Sequence, residues 1–139
     1  MIDLDNRTDK NYNLEILESI ASLLTPLEIE LILTNNEEIA QINLEFRGID
    51  KPTDVLSFPT DPFPGAPLGT IIISVDKVEE VAKELGHSEN DECALLFIHG
   101  VLHLLGMDHE VDKGEMRAEE ERLVRMFSLP LSLIVRTQA

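Results

Sequence analysis

Residues 68–106 read LGTIIISVDKVEEVAKELGHSENDECALLFIHGVLHLLG, and this stretch decides the fold. Leu68 to Val75 is rich in β-branched residues, and its consecutive Ile71, Ile72 and Ile73 predict a strand buried on both faces. Asp76 to Leu85 places Val78, Val81, Ala82 and Leu85 at helical spacing with Gly86 behind them, so an acidic amphipathic helix should follow. Ser88, with Asp91 three residues on, predicts a variant capping box for a helix running through Cys93 to Leu105. That helix is apolar almost all round, which predicts a central position, and Gly106 closes it.

Toward the N-terminus, Pro59 to Pro67 holds four of the seven prolines and no apolar period, so it reads as a loop inside the domain. Before it, Asp54 to Phe58 predicts a short strand, preceded by the loop Lys51-Pro52-Thr53. Glu37 to Phe46 predicts a helix capped by Asn35 or Asn36, with Ile39, Ile42 and Phe46 facing inward and Gly48 as a left-handed terminator. Leu27 to Thr34 has a strand pattern through Leu27, Ile29, Leu31 and Leu33. Residues 14–24 put Leu14, Leu17, Ala21 and Leu24 on one helical face behind a possible cap at Asn13, and the acidic opening MIDLDNRTDK is assigned no element. Past Gly106, Lys113 to Phe127 reads as a charged helix, and the apolar tail Leu129 to Val135 should dock back onto the domain. The expected fold is α+β (mixed α/β): one domain over 1–139, a small mixed β-sheet packed against helices.

The chain has 139 residues, 43% of them apolar, enough to bury roughly 70% of its unfolded surface around one core. Twenty-seven Asp and Glu against 11 Lys and Arg give a net charge of −16, which excludes a generally basic nucleic-acid coat. An anionic partner must therefore be met at a local exception to the field. Cys93 has no second cysteine to pair with, no apolar run approaches the ~20 residues needed to cross a bilayer, and the opening lacks a signal-peptide core. A cytoplasmic protein with no membrane partner is expected.

Three of the four histidines, His99, His103 and His109, fall within eleven residues. His99 and His103, four apart on the predicted helix, project from one face and can share one metal ion, for which zinc is suited. Gly106 can take the positive φ that turns the chain so that His109 approaches the same ion. Three imidazoles leave a fourth position open, the mark of a catalytic rather than a closed structural site. The zinc site is thus expected at the end of the central helix. The spacing matches the His-x3-His-x5-His frame of metzincin proteases, but Gly100 stands where they carry the glutamate general base, so a peptidase is disfavoured.

The run His99 to His109, preceded by Asn43-Leu-Glu-Phe-Arg47-Gly48 and Thr53-Asp54-Val55-Leu56-Ser57-Phe58-Pro59, is similar to the YbeY family of bacterial single-domain endoribonucleases and ribosomal RNA maturation factors. The resemblance extends from about Leu27 to Leu129. It implies one zinc ion on His99, His103 and His109, cleavage of single-stranded RNA in 16S ribosomal RNA 3′-end maturation and ribosome quality control, and association with the small ribosomal subunit and its assembly proteins rather than DNA. Zinc acidifies water toward a pKa of ~7 and polarises a phosphoryl oxygen. Arg47, matching the family's arginine, is the candidate catalytic cation, because a guanidinium binds two phosphate oxygens at once. Arg47, Lys51 and the ion would form one positive cleft on an otherwise acidic surface. Where the family commonly reads Leu-Gly-Asp-Ile, this chain has Leu68-Gly69-Thr70-Ile71. Two rival readings are an assembly factor with a mainly structural zinc and a metallohydrolase of another substrate class.

Elsewhere, Asp108 can orient a histidine, accept a proton or shape a turn, His87 reads as a surface loop residue, and Cys93 and Met116 read as core. The acidic runs Asp76 to Glu92 and Asp108 to Glu121 read as solvated helix faces.

Overall fold

A computed structural model of the chain describes residues 1–108 and 111–130. It contains β1 (Ile2–Asn6), α1 (Leu14–Leu24), β2 (Ile29–Thr34), α2 (Asn36–Arg47), β3 (Val55–Pro59), β4 (Gly69–Ser74), α3 (Val75–Leu85), α4 (Glu89–Leu104) and α5 (Glu115–Met126). The four strands form one mixed sheet in the order β1-β2-β4-β3. β1, β2 and β4 run parallel, and β3 pairs antiparallel to β4 with Ser57 opposite Ile71 and Phe58 opposite Thr70. This is the expected α+β domain, with β3 as an edge strand.

The Ile71-Ile72-Ile73 run is buried on both sides, as a strand between two layers requires. Ile71 and Ile73, with Leu31 and Leu33 of β2, face the large core under α1, α3, α4 and α5. Ile72, Ile32 and Leu56 face a smaller cluster under α2, made with Ile39 and Ile42. α4 is central as expected: Cys93 to Ile98, Gly100 to Leu102 and Leu104 are all buried. Its Ser88 cap accepts from the Asp91 backbone N–H at 3.0 Å, and Gly48 ends α2 in the left-handed conformation.

Several expectations are corrected. The opening segment is a strand, because Ile2 packs into the core and residues 2–6 extend the parallel ladder on β2, a long-range pairing with no local signature. Leu27 precedes β2 and is exposed. In α1 the expected face of Leu14, Leu17, Ala21 and Leu24 does pack on the core, and the fully buried Ile20 joins it. Phe46 is 64% exposed: Ile39 is fully buried and Ile42 packs on the small cluster, whereas Phe46, in the last turn of α2, keeps most of its surface in solvent and rests one side of its ring against Phe58 of β3. His87 is no surface residue. Its side chain is 5% exposed and its Nε2 lies 2.9 Å from the buried Glu92 carboxylate. Glu92 and Glu120 likewise break the reading of both acidic runs as solvated faces, since each is buried opposite a histidine. Met116 and Cys93 are core, and burial, aided by the charge of Glu92, pushes the Cys93 thiol up to about 12. Leu129 is buried; the rest of the expected tail docking, 131–135, lies outside the described residues.

Candidate active site

A cleft of about 620 Å³ opens along β3, between the C-terminal ends of α2 and α4. Arg47, Thr53, Asp54, Phe58, His99, His103 and Asp108 are among the residues that line it. Its size lies in the range of ligand-binding clefts. Each wall follows from a local rule. Arg47 is the last residue of α2, and the loop after it is pinned by the buried Asn43, whose amide donates to the Lys51 carbonyl at 2.9 Å. β3 is an edge strand, so its outer rim is free to face the cleft. His99 and His103 sit on the one face of α4 that is not fully buried.

The two histidines converge. Their Nε2 atoms are 3.0 Å apart, with the rings edge to face at 77°. Two nitrogens bound tetrahedrally to one ion at ~2.0–2.1 Å stand about 3.3 Å from each other, so this pair fits a shared metal after a shift of a few tenths of an ångström. The other nitrogen of His99, Nδ1, lies 2.9 Å from Oε1 of Glu120, whose side chain is 1% exposed. A carboxylate there selects the tautomer with the proton on Nδ1 and leaves the Nε2 lone pair directed at His103.

Sequence reading missed Glu120, although a signal was present. On α5 it shares the inward stripe of Met116, Leu123 and Val124, four residues after a core methionine, where a glutamate needs a partner. The Asp112 carboxylate starts that helix by accepting from the Gly114 and Met116 backbone N–H groups, which fixes the rotation that aims Glu120 at His99.

After Leu104, Gly106 takes φ +92°, and the N–H groups of Gly106 and Met107 bond back to the carbonyls of His103 and Leu102. The chain reverses there, and Asp108 comes to line the cleft while its carbonyl accepts from Val111 and Asp112. His109, the third expected ligand, lies outside the described residues. Arg47 makes no ion pair with any described residue, whereas Arg7, Arg122 and Arg125 each have a carboxylate partner. Lys51 does not line the cleft, and Asp54 and Asp108 do, so the expectation of a simply positive cleft is corrected: Arg47 shares its lining with two acidic residues. Thr70 points to the α2 side of β4, opposite α4, where its hydroxyl is 3.2 Å from Glu30; the family's aspartate position is therefore not on the histidine face.

Gly100 explains why no glutamate follows His99. A Cβ there would stand 3.0–3.2 Å from the Ile71 side chain, so the position faces the sheet and has no room for a base.

Fold and cleft together define a small α+β protein with a carboxylate-backed histidine pair facing an arginine across an edge strand. The Endoribonuclease YbeY family matches over residues 3–128. The chain is 60% identical over 138 residues to Endoribonuclease YbeY of Sulfurimonas denitrificans and 56% identical over 138 residues to that of Nautilia profundicola, with 99% of each chain covered in both cases. It is also similar to the solution structure of a Thermotoga maritima protein, at 30% identity and a TM-score of 0.61, covering 91% of this chain and 89% of that one. The chain belongs to the YbeY endoribonuclease family. Among the described residues, no helix is long and apolar enough to cross a membrane.

Proposed function

We propose that this chain is a zinc-dependent endoribonuclease that cleaves single-stranded RNA during 16S ribosomal RNA 3′-end maturation and ribosome quality control. The observation that carries the reading is the convergence of His99 and His103 Nε2, 3.0 Å apart, in the same cleft as Arg47, which pairs with no carboxylate among the described residues. His99, His103 and His109 would hold the ion, and zinc so held supplies Lewis acidity toward water and a phosphoryl oxygen at neutral pH. Arg47 binds the scissile phosphate and stabilises the charge that grows on its oxygens as the leaving group departs. Glu120 orients His99 through Nδ1, and Asp54 and Asp108 repel a misplaced phosphate, restricting productive binding to the arginine side.

With a net charge of −16, the protein gains little from long-range attraction to RNA. Its substrate is delivered by docking on the small ribosomal subunit and its assembly proteins. Cleavage of a ribosomal RNA precursor by the purified protein tests this reading, with chelation, His103→Ala, Arg47→Ala and Arg47→Lys as arms. Loss of one charge-stabilising donor should lower kcat about 100- to 1,000-fold, with lysine recovering only part of it. Activity indifferent to chelation and to His103→Ala would sink the metal mechanism. A 2′,3′-cyclic phosphate on the product would assign the attack to the RNA 2′-hydroxyl.

A further inference from the structure

Phe46 is the residue whose place in the fold the helical period does not explain. It is 64% exposed at the end of α2, immediately before Arg47, and its ring centroid is 5.3 Å from that of Phe58 at an interplanar angle of 55°. Phe58 belongs to the small cluster beneath α2 and also lines the cleft with His99, His103 and Arg47. A single exposed apolar side chain is ordinary on a protein surface. An exposed aromatic ring braced on one side by a second ring, continuous with a phosphate-binding arginine and a histidine pair, has the parts of a base-stacking platform.

We propose that Phe46 and Phe58 form a nucleobase-stacking subsite, on which a base next to the scissile phosphate is unstacked from its neighbours and held while Arg47 engages that phosphate. The proposal rests on the endoribonuclease reading for its ligand class, single-stranded RNA. Charge adds a second reason. Arg47 shares its cleft with Asp54 and Asp108 on a chain of net charge −16, so phosphate attraction contributes little affinity here. Stacking acts on the π face of any base and does not depend on salt in the way phosphate contacts do. The subsite also accounts for a single-strand preference, because a base within a duplex cannot present its face to the ring.

The chain contains no tryptophan, so Phe46→Trp places a single reporter at the subsite. In a His103→Ala background that stops cleavage, its fluorescence should be quenched by a single-stranded oligoribonucleotide and unchanged by an abasic strand of equal length. In the otherwise parental protein, Phe46→Leu keeps the apolar bulk but removes the π face, and should raise KM for single-stranded RNA about 5- to 100-fold while leaving kcat nearly constant. Equal quenching by the abasic strand would overturn the proposal, as would an unchanged KM for Phe46→Leu in a protein that still cleaves RNA. Either result would leave the nuclease reading standing and reassign the exposed ring to docking of a protein partner. Base-dependent quenching in a protein that never cleaves RNA would support the subsite and sink the nuclease reading alone.

Discussion

Replacing Glu120 separates orientation of His99, the proposed metal ligand, from general support of the fold. Its carboxylate, 1% exposed, lies 2.9 Å from His99 Nδ1, and a hydrogen bond to a charged acceptor contributes about 1.5–3 kcal/mol against about 0.5–1.5 kcal/mol for a neutral one. Glu120→Gln keeps an acceptor but discards the charge, a difference of about 1–1.5 kcal/mol, which at 1.4 kcal/mol per decade should weaken the proposed zinc binding about 5- to 10-fold. Glu120→Ala removes the partner altogether and should weaken it about 10- to 100-fold. Stability in the metal-free state should behave differently, because glutamine ends the burial of a carboxylate and still accepts from the ring. Unfolding of Glu120→Gln in urea with a chelator present should match the parent within about 1 kcal/mol. Zinc affinity is measured by competition with a chromophoric chelator near neutral pH. Affinity equal to the parent in both variants, or a loss of metal-free stability as large as the loss in binding, would refute the orienting role.

Three further outcomes are expected. Gly100→Glu forces a charged side chain against Ile71 and should cost more than about 3 kcal/mol in urea unfolding without creating peptide cleavage; full stability would show that the tight Gly100–Ile71 approach does not constrain the position. His87→Ala leaves the buried Glu92 carboxylate without this histidine and should destabilise the fold by about 3 kcal/mol, while cleavage per folded molecule stays at the parental rate. The Thr34 hydroxyl, and after it the Arg7 guanidinium, holds the Glu38 carboxyl below its ordinary value of 4.5. A depressed carboxyl pKa stabilises the fold above about 4.5 and loses that contribution as pH falls through the folded value, so Glu38→Gln should flatten the acid limb of a stability-versus-pH curve; an unchanged limb would contradict it.

The sequence by itself determined the elements whose signals are local. A β-branched run between turn signals has one economical conformation, so β4 was legible, and α3 and α4 were legible from side-chain period and caps. The histidine pair was legible for the same reason, since a spacing of four on a helix fixes two side chains on one face whatever surrounds them. Tertiary structure alone decided the partners. β1 exists because β2 offers it a parallel edge, Phe46 stays mostly exposed with one side of its ring against Phe58 of β3, and His87 is inside because Glu92 is buried beside it. Glu92 and Glu120 look like their solvated neighbours in a charge count, and only the packing of α4 and α5 turns one toward His87 and the other toward His99. Local periodicity constrains where a side chain points on its own element. Which group it meets depends on how each element packs against the next, an arrangement set by the whole core and written in no single stretch of the chain.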